Sequence, residues 1–223
     1  MTGEPNVLIL GIGNLLWADE GFGVRAIEAL HRDFAFPDHV RLIDGGTQGI
    51  YLVQLVREAD VLIVFDAVDY GLPPGTLKRV EGDEVPRFLG VKKISLHQTG
   101  FQEVLAMAEM MGDRPDHLLL IGVQPVELDD FGGSVRPEVK AQIEPAIALA
   151  LDYLAGFGIR PERRPSPAET IASTEMTLDR YEGERPDESA APRSGDARLL
   201  ADGLWRGPED FDAEMARLVA APR

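Results

Sequence analysis

Three side chains far apart in the chain, Glu20, Asp66 and His97, have the types and places to serve one cation. Glu20 stands in a loop after a buried apolar run, Asp66 directly follows Val61 to Phe65, and His97 closes the short apolar stretch Ile94 to Leu96. In an open α/β sheet, ligands bind in the crevice beyond the carboxyl ends of the strands, and all three positions fall at such ends. Two carboxylates and an imidazole form a mixed oxygen and nitrogen set that suits a borderline divalent ion such as nickel or zinc, with positions left for water or substrate. Each residue also has a structural reading. Asp19 and Glu20 precede a helix, where carboxylates cap free amides and complement the dipole. Asp66 could cap the turn after its strand, and a single histidine often hydrogen-bonds locally or lies at a surface. The remaining histidines, His31, His39 and His117, fall on a helix, at a strand start and before a buried strand, with no converging partners.

The elements that must position these groups show in the apolar pattern. Val7, Leu8, Ile9 and Leu10 form an unbroken apolar run ending at Gly11, as expected of a strand buried on both faces of a parallel sheet, and it reads as the first and central strand. Gly23, Ile27, Leu30 and Phe34 then recur at i, i+4, i+7 and i+11, which is one apolar stripe along a helix. Val40 to Ile43 reads as a second strand ending at Asp44, Leu52, Leu55, Val56 and Ala59 as a second helix, and Val61 to Phe65 as a third strand. The Pro73-Pro74-Gly75 turn and Thr76 to Val80 suggest a return strand, antiparallel at an edge. Phe101, Val104, Leu105 and Ala108 mark a helix after His97, and Leu118 to Val123 another buried strand. The last core helix shows in Ile143, Ala146, Ile147, Ala150, Leu151 and Leu154, with Pro145 in its first turn or kinking it. This alternation predicts an α/β fold, a doubly wound three-layer α/β/α sandwich with a mostly parallel central sheet.

With 223 residues, 44% of them hydrophobic, the chain can build one packed domain with some excess. The domain is expected over residues 1–158. Beyond it, Pro161, Pro165 and Pro167 crowd together, so 159–223 is expected to be a Pro-rich, poorly ordered tail, in which Phe211, Met215, Leu218 and Val219 could form one amphipathic turn or two, docking on the core or on a partner. Acidic residues number 38 against 22 basic, a net charge of -16, which repels phosphate backbones and anionic lipid and argues against nucleic acid or membrane as partner. Without cysteine there are no disulfides, thiolate zinc sites, iron-sulfur clusters or cysteine nucleophiles, which fits a reducing compartment. Met1 to Asn6 carries no basic stretch and Val7 to Leu10 is too short for a signal or membrane segment, so a cytoplasmic location is expected.

One rival reading uses the first loop. Gly11-Ile12-Gly13 after a buried strand resembles the start of a dinucleotide fingerprint, and Asp44 would be its ribose-binding carboxylate. It fails at Leu16, where the third glycine belongs, and Asp19 and Glu20 would put negative charge where pyrophosphate needs a positive helix terminus. There is no H-E-x-x-H pair and no G-x-S-x-G elbow.

Four ordered blocks carry a family resemblance. The segments from Gly11 to Arg25 (GIGNLLWADEGFGVR), Asp44 to Gly49 (DGGTQG), Asp66 to Asp69 (DAVD) and Ser95 to Gln98 (SLHQ) resemble the signature blocks of the nickel-iron hydrogenase maturation endopeptidases, nearest the branch serving uptake-type hydrogenases. Similarity continues through Leu119 to Pro125 and Asp129 to Gly133, reaches about Gly158, and returns only loosely around Met176 to Arg185. The resemblance implies a protease, of aspartyl endopeptidase type in its grouping. Such an enzyme clips a C-terminal extension from the hydrogenase large-subunit precursor after nickel insertion. It further implies that Glu20, Asp66 and His97 are the metal set, that nickel is presented by the substrate while another divalent ion could occupy the site in vitro, and that Asp44, Gly45 and Gly46 belong to substrate recognition. A monomer is expected when the chain is free. Two mechanisms stay open: the trio inspects the precursor's nickel and so positions the scissile bond, or a metal held by the trio activates water. A non-catalytic chaperone that senses metal and holds the precursor uncut is the alternative to an enzyme.

Overall fold

Alternation within each strand divides the core into two apolar layers on opposite faces of one sheet. The structure is a computed structural model that describes residues 3–86, 96–171 and 174–184, with residues 96–100 described as helix backbone. Its main sheet contains β1 (Val7–Ile12), β3 (Val40–Gly46), β4 (Val61–Ala67), β5 (Leu77–Glu81) and β6 (His117–Val123), in the order β3-β1-β4-β6-β5. All neighbours pair in parallel except β5, which runs antiparallel along β6 at one edge. The return strand is therefore where the Pro-Pro-Gly turn predicts it. The central strand, however, is β4 and not β1, because the chain passes to one side of β1 for β3 and to the other side for β4.

Odd-numbered residues of β1, β4 and β6, such as Ile9, Ile63 and Ile121, join the cluster that packs α1 (Phe22–Asp33) and α5 (Ile143–Ala155). Even-numbered ones, such as Leu10, Val64 and Leu120, join the cluster of α2 (Val53–Arg57) and α3 (Leu96–Met110). These strands are buried on both faces, each large apolar side chain contributing about 1.5–3 kcal/mol, which is why they read as continuous apolar runs. The three-layer α/β/α sandwich follows. A short helix α4 (Pro137–Lys140) starts at a proline and leads into α5, whose Pro145 lies in the first turn and needs no kink. Among the described residues no helix is long and apolar enough to cross a membrane.

Several boundaries differ from the sequence reading. Phe34 leaves α1 and, with Ala35, forms β2 (Phe34–Ala35), which pairs antiparallel with β7 (Glu162–Arg163). The second helix is a 3-10 turn, Gly49–Leu52, followed by α2. Asp66 and Asp44 lie inside their strands rather than after them.

The largest correction concerns the expected tail. The compact unit runs to Glu184, not to 158. Arg164 N–H donates to the Asp33 carbonyl at 2.8 Å and Ala168 N–H to that of Arg32 at 3.0 Å, and α6 (Leu178–Gly183) follows a 3-10 turn, Thr174–Met176. Proline crowding suppresses helix periodicity without preventing the chain from lying along α1. Residues 185–223, with the Phe211 to Val219 pattern, lie outside the described residues.

Candidate active site

The strand order reverses direction at the boundary between β1 and β4, since the connections from those two strands leave to opposite sides. Such a boundary opens a crevice at the carboxyl ends. Glu20 and Asp66 are both delivered there, by the loop after β1 and by the end of β4.

Glycines hold that corner tight. A Cβ on Gly23 would stand 2.2 Å from the carbonyl oxygens of both Ile12 and Phe65, so α1 reaches β1 and β4 only because position 23 has no side chain. This is the close-packing glycine that the dinucleotide pattern seeks at Leu16; between Gly13 and Gly23 the chain instead inserts a loop and a 3-10 turn, Ala18–Gly21, that carries Glu20. Ala18 within it takes φ 37°, a left-handed conformation costing about 1–2 kcal/mol in a non-glycine residue.

Asp19 holds the loop in place. Fully buried, its carboxylate accepts the N–H groups of Val126 at 2.7 Å, Glu127 at 2.9 Å and Arg136 at 2.6 Å. Asp19 therefore spends its carboxylate on segments remote in sequence, and the N-cap residues of the 3-10 turn and of α1, Trp17 and Gly21, make no side-chain cap. Trp17 forms bridges with Phe131 and Gly133, and its ring meets that of Phe131 edge to face at 5.3 Å. The Asp129 to Gly133 block thus forms the outer wall of the Glu20 loop.

Asp66 is fully buried and pairs with Gly122 of β6. By alternation it belongs with Leu62 and Val64 on the face covered by α3, the helix whose first turn contains His97. The His97 side chain lies outside the described residues. Among the residues whose side chains are described, no three carboxylate or imidazole groups stand at metal-binding spacing, and His97 is not one of those residues. The donor types remain those a borderline divalent ion accepts.

Tyr70 is a neighbour the sequence reading missed. Its hydroxyl occupies the space over Gly122, where a Cβ would come within 2.1 Å of it, and burial together with the Asp66 charge pushes its pKa up. Gln124 holds the intervening loop, accepting the N–H groups of Tyr70 at 2.8 Å and Leu72 at 3.1 Å and donating to Asp69 Oδ1 at 3.0 Å. Gln124 could have been found by the signal that marks Asp66, a polar residue at the carboxyl end of a buried strand. Tyr70 has no such signal.

Asp44, Gly45 and Gly46 end β3, beside the same crevice: Gly13 N–H donates to the Gly46 carbonyl at 3.0 Å. Asp44 pairs with Gly11 and belongs to the α1 face. Burial pushes its carboxyl up, opposed by the Gly46 N–H and by the Arg25 charge. The other histidines are structural. His39 Nδ1 lies 3.2 Å from Glu4, the His117 ring meets that of Phe157 edge to face at 4.9 Å, and the pKa of His31 is lowered by burial and by Arg164.

A doubly wound sheet that carries Asp66 at the end of one strand and the Glu20 loop after its neighbour, at its reversal point, defines an α/β protein of the kind that binds at the carboxyl ends of its strands. A family model described as hydrogenase maturation protease matches residues 24–153. The hydrogenase expression/formation protein HupD of Thiocapsa roseopersicina is 64% identical over 203 residues, 90% of this chain and 92% of that protein. The hydrogenase 2 maturation protease of Escherichia coli is 41% identical over 154 residues, 69% of this chain and 93% of that protein. The solved structure of the hydrogenase maturating endopeptidase HybD from E. coli superposes with a TM-score of 0.68 at 38% identity, covering 71% of this chain and 97% of that one, so close to a third of this chain has no counterpart there. The chain belongs to the hydrogenase maturation protease family and is a peptidase, a hydrolase.

Proposed function

We propose that this peptidase removes the C-terminal extension of a nickel-iron hydrogenase large-subunit precursor after nickel insertion, with Glu20, Asp66 and His97 engaging the nickel that the precursor carries. The observation that supports this most is the delivery of Glu20 and Asp66 to one crevice at the reversal point of the sheet, on the side where α3 begins. Nickel is then part of the substrate and the chain supplies oxygen and nitrogen donors to it. Holding the metal end of the precursor fixes the approach of the scissile bond, which converts recognition into positioning.

Asp44, Gly45 and Gly46 would receive the peptide around that bond. They end a strand that pairs with β1 alone among the described strands, and an extended peptide can use such an edge. Gly46 has φ 44°, a conformation that L side chains rarely adopt, so the turn beside the crevice depends on that glycine. The free protein would be a monomer working in the cytoplasm, where its precursor is assembled.

Mixing the protein with precursor loaded with nickel and with metal-free precursor, and following mobility on a gel, tests the reading. Cleavage of the loaded form alone is expected. Equal rates on both would remove nickel from recognition, and a retained but uncut loaded precursor would favour the chaperone.

A further inference from the structure

We infer that the segment Thr174–Gly183 is a strap that holds Arg25 of α1 in place on the face of the sheet that carries Asp44, which makes Arg25 a positioning residue for precursor recognition; this rests on the peptidase reading above.

Arg25 is on the second turn of α1 and only 3% exposed. A guanidinium so deep needs partners for its donors. One is local, Glu28 Oε2 at 2.9 Å from Nη1. Two others come from far along the chain: the Met176 carbonyl accepts from Nη1 at 2.5 Å, and the Tyr181 ring centroid lies 5.7 Å from the guanidinium carbon. The strap therefore supplies much of what keeps this charge buried.

That charge acts on the recognition block. Asp44 and Glu28 are both pushed up by burial and both pulled down by Arg25, and they repel one another. Asp44 Oδ1 and Glu28 Oε1 are buried with no hydrogen-bond partner among the described residues, so the Arg25 charge on the same face of the sheet adds to what the Gly46 N–H gives Asp44 and to the Arg25 hydrogen bond on Glu28. Letting Arg25 swing out would take the positive charge away from both carboxylates on the α1 face of the sheet.

The strap also reaches the opposite wall. Tyr181 Oη donates to the Gly133 carbonyl at 3.4 Å, and Glu182 accepts from Ser134 Oγ at 2.8 Å and from Lys140 Nζ at 2.9 Å. Gly133 in turn bridges to Trp17, at the start of the Glu20 loop. One segment thus ties the recognition block to the loop that carries the metal-facing acid.

Its attachment is polar rather than packed. No residue of the 3-10 turn or of α6 is buried, and a cavity of about 500 Å³ lined by Arg25, Ala29, Ile143 and Leu178 lies between α1 and the start of α6. Detaching the strap leaves the two apolar clusters of the core untouched.

The test uses the full chain and nickel-loaded precursor, measuring KM and kcat for wild type, Tyr181→Ala, Tyr181→Phe and Arg25→Lys. Tyr181→Ala and Arg25→Lys are expected to raise KM about tenfold with kcat within about twofold, as removal of uniform binding does, while Tyr181→Phe keeps the wild-type KM because the ring remains over Arg25. A wild-type KM in Tyr181→Ala, or a defect that Tyr181→Phe shares in full, would overturn the inference even if Arg25→Lys fails to fold. No cleavage by wild type would overturn the peptidase reading, and this inference with it.

Discussion

Gly13 lies so close to Glu20 that a Cβ at position 13 would sit 1.8 Å from the Glu20 carbonyl oxygen, and its φ of 138° is one that L side chains rarely adopt. The contact closes the loop after β1 onto its own strand and sets where the Glu20 side chain starts. Gly13→Ala should therefore cost about 2–4 kcal/mol and displace the loop, since the obstacle is backbone and cannot rotate away. Urea melts and precursor processing check this; an alanine variant of wild-type stability that still cleaves would contradict the close approach.

Asp19→Ala should destabilise the fold by about 2–4 kcal/mol, because it strips the acceptor from three N–H groups on segments remote in sequence. Asp19→Asn should fall between, since its amide group turns a donor toward donors. Amide exchange at Val126, Glu127 and Arg136 would report the loss directly. Unchanged protection there would mean that the carboxylate is not their anchor.

Glu20→Gln, Asp66→Asn and His97→Ala should each leave the fold intact and slow processing by about 100-fold or more, the scale of losing one electrostatic anchor. The first two substitutions keep shape and remove charge. Circular dichroism and the gel assay separate folding from function. Normal processing in two of the three would defeat the assignment.

Glu28 supplies a pH signature. Burial raises its pKa above 4.5 and outweighs the attraction of Arg25. A carboxyl that binds its proton more tightly when folded contributes most to stability below 4.5 and loses that contribution as pH rises through the raised value. The stability of wild type relative to Glu28→Gln should accordingly grow as pH is lowered from neutral toward 4.5. Denaturant melts across that range would show it, and a flat or opposite trend would speak against the burial effect.

Gln124→Ala removes the acceptor for two N–H groups in the loop after β4 and should cost about 1–3 kcal/mol. Because that loop seats Tyr70 over Gly122 beside Asp66, processing should fall as well. A loss of stability with full activity at low temperature would separate the loop from the site.

Much of the fold is legible in the chain because its interior strands are buried on both faces, so Val7 to Leu10, Val61 to Phe65 and Leu118 to Val123 show as apolar runs that local turns bound. The same logic picks out Asp66 as a polar residue ending such a run, and the ordered blocks around Glu20 and Asp44 point to the family. Strand order is not legible. Which side of β1 the chain takes for β3 and for β4 is a choice between packings, and it is this choice that makes β4 central and opens the crevice.

What escapes the sequence are contacts between residues remote in the chain. Asp19 looks like a helix cap in its local setting, yet its carboxylate turns inward to N–H groups beyond position 125, and Arg25 looks like a surface arginine until Met176 and Tyr181 cover it. Periodicity reports which face of an element is apolar, a property of a dozen neighbouring residues. Where a buried charge finds its partners depends on how whole elements pack, and in this protein that packing lays Arg164 and Ala168 along α1 and keeps the chain to Glu184 in the compact unit.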